Sequence, residues 1–121
     1  MKKTVVIVED EIPIAHAERL ILQDEYTVHL AHDGDQALTT INKVKPDLVI
    51  LDWMLPKKNG IEICKEIRLN VALKHTKVVM VTAKNTPRDE FIGMDTGADD
   101  YIAKPFEPME LLHVANQVLT R

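Results

Sequence analysis

Five short apolar runs recur along this chain, each followed by a segment whose apolar residues return at helical spacing, and no linker, repeat or low-complexity stretch separates them. That alternation predicts an α/β fold: a doubly wound five-stranded parallel sheet with five helices on its two faces, over residues 1–121. The middle run, Asp47-Leu-Val-Ile-Leu-Asp52, is apolar without alternation, as a strand buried on both faces must be. It ends abruptly in a carboxylate, with Pro56 and Gly60 beyond it. Asp52 therefore stands where a central strand leaves the sheet, the edge at which open parallel sheets bind ligands.

The other runs fit the same scheme. Thr4-Val-Val-Ile-Val8 is a β-branched strand ending at Glu9 and Asp10, and Lys77-Val-Val-Met-Val81 ends at Thr82. Tyr101-Ile-Ala103 is brief and stops at Lys104-Pro105. Only the stretch from Tyr26 to Ala31 alternates, with Tyr26, Val28 and Leu30 opposed to Thr27 and His29, which suits an edge strand. Between the runs, Pro13 opens a helix whose inward residues are expected to be Ile14, Ala17, Leu20 and Ile21. Asp33 caps a second helix with Ala37, Leu38, Ile41 and Val44 inward. A third follows Gly60 with Ile61, Cys64, Ile67 and Val71 inward, and a shorter one from Pro87 to Asp95 closes at Gly97. The last carries Leu111, Leu112, Ala115, Val118 and Leu119 on one face. Met54, Met80, Met94 and Met109 are expected to fill gaps in the core.

Composition excludes several functions. The 121 residues suffice for one core, and 45% apolar with 28% charged residues is ordinary for a globular protein. A formal charge of −4, with the lysines dispersed, argues against nucleic-acid binding. The first apolar run is broken at Glu9 after five residues, too short for a signal peptide or a membrane span. Cys64 has no cysteine to pair with, and the expected location is cytoplasmic.

If the strand order is the flavodoxin-like 2-1-3-4-5, the first and third strands are neighbours and flank the switch point, so that Glu9, Asp10 and Asp52 converge. Each close pair of like charges costs about 4 kcal/mol at a separation of about 4 Å and an effective dielectric of about 20, and the cluster calls for a cation. Oxygen donors without His or Cys favour a hard ion, Mg²⁺. An ion held by carboxylates, faced by Lys104 and the Thr82 hydroxyl, has the parts needed to receive a phosphoryl group on Asp52.

Five pieces in order, Val8-Glu-Asp-Glu11, Asp52-x-x-Leu-Pro56 with Gly60, Val81-Thr-Ala83, Gly97-Ala-Asp-Asp-Tyr101 and Lys104-Pro-Phe106, give the whole chain a resemblance to the receiver domain of two-component response regulators, the chemotaxis regulators among them. The resemblance implies that Asp52 takes a phosphoryl group from a histidine kinase or phosphotransfer protein. It implies Mg²⁺ ligation by Asp10, Asp52 and the Met54 carbonyl, with Glu9 acting through water. It also implies that Lys104 pairs with the phosphoryl group, that the Lys104-Pro105 bond is cis, and that Thr82 and Tyr101 switch a surface read by a downstream protein or a fused effector domain. No membrane contact is implied, and no turnover of an external substrate.

Leu51-Asp-Trp-Met-Leu-Pro56 resembles receivers fused to winged-helix transcription factors, yet the last helix has no Arg or Lys before Arg121 to form their dimer salt bridges, so a monomer or weak dimer is expected. Met54 and Lys84 occupy positions that flank the path of hydrolytic water in the family. An apolar Met54 cannot orient that water, so a long-lived phosphoryl group is expected. Two rival readings are a phosphatase of the haloacid-dehalogenase class and a degenerate receiver. The first expects a second Asp where Met54 stands, and the second is disfavoured by the complete set Asp10, Asp52, Thr82 and Lys104.

Overall fold

The structure, a computed structural model, describes residues 2–84 and 86–121. Strands β1 (Lys3–Val8), β2 (Tyr26–Ala31), β3 (Leu48–Leu51), β4 (Lys77–Thr82) and β5 (Asp100–Ala103) alternate with helices α1 (Ile12–Leu22), α2 (Gly34–Val44), α3 (Gly60–Leu69), α4 (Pro87–Thr96) and α5 (Pro108–Leu119). The strands form one parallel sheet in the order β2-β1-β3-β4-β5. The fold is the doubly wound parallel sheet that the alternation predicts, in the flavodoxin-like strand order.

Successive strand residues point to opposite faces, and this period of two divides the core. Val6, Val8, Val49, Leu51 and Met80 pack on one side with Ala37 and Ile41 of α2 and Ile63, Cys64 and Ile67 of α3. Val5, Ile7, Leu48, Ile50 and Val79 pack on the other with Leu22 of α1 and Leu111, Ala115 and Val118 of α5. Both faces of the middle strands are thus covered, which is why their sequences do not alternate.

Three expectations need correction. In α1 the buried residues are Ala15, Glu18 and Leu22, whereas Ala17 and Leu20 face solvent. The helix is rotated relative to the predicted face so that a carboxyl lies inside. In α3 the inward residues are Gly60, Ile63, Cys64 and Ile67; the helix ends at Leu69, and Asn70 caps a single 3₁₀ turn from Val71 to Leu73 that turns Val71 outward and Leu73 in. Of the four methionines expected to fill core gaps only Met80 is core, while Met54, Met94 and Met109 are exposed.

Candidate functional site

Sheet register assembles the site. Val8 lies level with both Ala31 and Leu51, and the ladder continues one step further, with the Asp52 amide donating to the Val8 carbonyl at 3.1 Å and the Glu9 amide to the Ala31 carbonyl at 3.0 Å. The acidic end of β1 is thereby fixed beside Asp52. On the other flank Thr82 is level with Ala103, and the Lys104 amide donates to the Thr82 carbonyl at 2.9 Å. The Lys104–Pro105 bond is cis.

Asp52 is 7% exposed. One of its oxygens accepts from the Met54 amide at 3.1 Å, and the other from the Lys104 ammonium at 2.9 Å. Lys104 also bonds the Glu9 carboxylate, which is 2% exposed. Burial works against the charge of Lys104, but its two carboxylate partners outweigh it and hold the ammonium above its ordinary value. Burial, aided by the charge of Asp52, raises Glu9 despite the Lys104 bond. Asp10 completes the group from the exposed rim. One oxygen each of Glu9, Asp10 and Asp52 can be chosen so that all lie within 4.8 Å of one another.

This donor set fits a hard divalent cation. Three formal carboxylates against one ammonium leave two negative charges in excess, the amount such an ion cancels, and all the donors are oxygens. The group opens into a cleft of about 350 Å³ lined by Asp10, Asp52, Met54, Thr82, Ala83 and Lys104. Every side chain of the predicted constellation is therefore in one place. The exposed Met54 side chain forms its rim, and Thr82 is fully buried with its hydroxyl oxygen accepting from the Lys84 amide at 3.3 Å.

Two further features border the cleft. The Lys84 ammonium sits over the Trp53 ring, 5.2 Å from its centroid, a cation–π contact on the side where Asn59 and Pro56 also line the surface. Tyr101 is half-buried against Gly93, where an added Cβ would come within 3.1 Å of the ring, and its hydroxyl donates to the Lys84 carbonyl. Burial, followed by the charges of Asp89, Glu90 and Asp52, pushes that hydroxyl up to about 12, so it remains a donor.

Glu18 escaped the sequence reading. It lies in α1, 3% exposed, and burial first, then the charges of Glu9 and Asp52 against that of Lys104, raise it to about 8. The stripe Ile14, Glu18, Leu22, spaced by four, was the available signal that this acid shares the inward face.

The family model for the response regulator receiver domain matches residues 5–116. A protein from Chloroflexus aurantiacus described as a response regulator is 36% identical over the full length of both chains, with a TM-score of 0.94. The chemotaxis response regulator CheY4 of Vibrio cholerae is 33% identical, with 98% of this chain and 99% of that one covered and a TM-score of 0.92. The BeF3-activated receiver domain of DrrB, a Thermotoga maritima OmpR/PhoB homolog, is 30% identical over the full length of both, with a TM-score of 0.92.

Proposed function

The chain belongs to the response regulator receiver domain family, and from that membership we propose that it is a phosphorylation-dependent signalling switch whose acceptor is Asp52. The observation that carries this reading is the convergence of Asp10, Asp52, Thr82 and Lys104 on one cleft at the carboxyl ends of β1, β3, β4 and β5, with the buried Glu9 carboxylate paired to Lys104 behind it. A carboxylate oxygen of Asp52 attacks the phosphorus of a phosphohistidine on a histidine kinase or phosphotransfer protein; the P–N bond breaks, and its electron pair stays with the imidazole, which takes up a proton. Asp10, Asp52 and the Met54 carbonyl would hold Mg²⁺, with Glu9 close behind, and the ion supplies charge neutralisation at the phosphoryl oxygens.

Lys104 has two partners before transfer, and the incoming phosphoryl oxygens compete with Glu9 for its ammonium. The Thr82 hydroxyl donates to another oxygen. Its displacement is transmitted through Lys84, whose amide bonds Thr82 and whose carbonyl holds Tyr101. The surface of α4, β5 and α5 then repacks, a population shift that a downstream protein or fused effector domain reads. The domain spans residues 1–121, turns over no external substrate, acts in the cytoplasm, and binds neither nucleic acid nor membrane; no described helix is long and apolar enough to cross one. It is a monomer or weak dimer: α5 carries no Arg or Lys, and Arg121 is engaged within the chain with Asp100 at 3.2 Å.

Incubation with Mg²⁺ and a small acyl phosphate donor is expected to add the mass of one phosphoryl group at Asp52, read by intact and peptide mass spectrometry. No adduct, or one on another residue, rejects the reading. Met54, exposed at the rim, presents no amide or carboxylate to a hydrolytic water. Met54→Asn should therefore speed phosphoryl loss severalfold in a timed mass-spectrometric decay, and an unchanged rate would remove Met54 as the cause of a long lifetime.

A further inference from the structure

The junction between β2 and α2, residues 32–34, touches both loops that carry the proposed metal ligands. On one side the His32 Nδ1 lies 3.0 Å from the Glu9 carbonyl oxygen, which can only accept, so the ring nitrogen donates. That carbonyl immediately precedes Asp10. On the other side the Gly34 amide donates to the Pro56 carbonyl at 3.2 Å, and the Lys58 amide donates to the same oxygen at 2.8 Å.

Gly34 is needed there for space. A Cβ on it would lie 2.4 Å from the Lys58 Cβ, 2.4 Å from the Lys58 carbonyl oxygen and 2.7 Å from the Lys58 nitrogen, and backbone cannot yield as a flexible side chain can. The facing loop is itself closed. The Gly60 amide donates to the Trp53 carbonyl at 2.8 Å, a Cβ on Gly60 would meet the Asp52 carbonyl oxygen at 2.4 Å, and Lys57 holds a left-handed φ of 70°. Met54 lies inside this closed loop, and whatever pushes its Pro56–Lys58 side carries the Met54 carbonyl with it.

We infer that residues 32–34 are a brace for the metal site, His32 setting the position of the Glu9–Asp10 corner and Gly34 that of the Met54 carbonyl, although neither residue ligates the ion. This rests on the reading above, that Asp10, Asp52 and Met54 hold Mg²⁺. His32 and Gly34 are positioning residues. Groups that hold metal ligands in place are generally worth about 10-fold to 100-fold in affinity.

The test is Mg²⁺ binding without any phosphoryl donor, followed by isothermal titration calorimetry and by fluorescence of Trp53, the chain's single tryptophan. Gly34→Ala is expected to raise the half-saturating Mg²⁺ concentration about tenfold or more, with the circular dichroism spectrum unchanged. Should Gly34→Ala fail to fold, the His32 pair decides: His32→Leu weakens binding, and His32→Asn, which keeps a donor near the Nδ1 position, restores it. Binding as in the unsubstituted protein by Gly34→Ala and His32→Leu overturns the brace while leaving the metal site standing. No Mg²⁺ binding by the unsubstituted protein removes both.

Discussion

Replacing Glu18 by leucine is expected to raise the unfolding free energy by about 3 kcal/mol at pH 7 and to flatten its dependence on pH between 4.5 and about 8. Below pH 4.5 the carboxyl is protonated in both states and costs nothing by ionisation. As pH rises, the unfolded chain releases the proton at its ordinary value while the folded chain keeps it, so folding loses about 1.4 kcal/mol for each pH unit. The loss stops growing above about pH 8, where the folded carboxyl also ionises. The sign is thus destabilisation with rising pH, opposite to that of a salt-bridged acid. Because Glu18 is 3% exposed and no hydrogen bond contributes to its shift, solvent offers little relief. A gain of this size corresponds to a rise of about 10 °C in Tm for a chain of this length. Urea titrations of Glu18→Leu and Glu18→Gln at pH 5 and pH 8 test it. Equal slopes in both variants and the parent would show that Glu18 is not the group responsible.

Glu18 also marks where the sequence stops being legible. Patterns of period two and of 3.6 report which positions are inward only if the inward residues are apolar, and α1 breaks that condition with one acid. With Glu18 left out of the pattern, the apparent stripe shifts to Ala17 and Leu20, both of which prove exposed. Val71 was misplaced for a different reason. Asn70 accepts from the Ala72 amide and starts a 3₁₀ turn, and a three-residue turn is invisible to a helical-period argument that sees apolar spacing continue. The ends of β1 and β3 were legible because an uninterrupted apolar run ended by a carboxylate leaves few alternatives, and parallel topology then brings those ends together. The need for glycine at position 34 was not. It depends on backbone of Lys58 approaching from a loop remote in sequence, and Gly34 needs no left-handed dihedral that a local motif would betray.

Lys104→Met is expected to act with opposite signs on stability, metal binding and phosphoryl uptake. In the parent the ammonium lies between Glu9 and Asp52, whose side chains are 2% and 9% exposed, while its own is 20% exposed. Without it two buried carboxylates face each other uncompensated. Removing one partner of a buried ion pair costs about 3–5 kcal/mol, and the partial exposure of Lys104 puts the loss in chelator near the lower end, about 3 kcal/mol. A divalent cation then meets a more negative cluster and no competing ammonium, so Mg²⁺ should bind the variant more tightly than the parent. At a concentration 100-fold above Kd it would return about 2.7 kcal/mol of stability. Phosphoryl uptake moves the other way, falling about a hundredfold or more, because a positive group aimed at the transferring oxygens has gone. Mere unfolding cannot produce tighter Mg²⁺ binding together with slower uptake. Chemical denaturation with and without Mg²⁺, alongside the mass-spectrometric uptake assay, reads both quantities. If Mg²⁺ affinity instead falls with uptake, Lys104 serves to hold the carboxylates in ligating positions rather than to occupy the place of a cation.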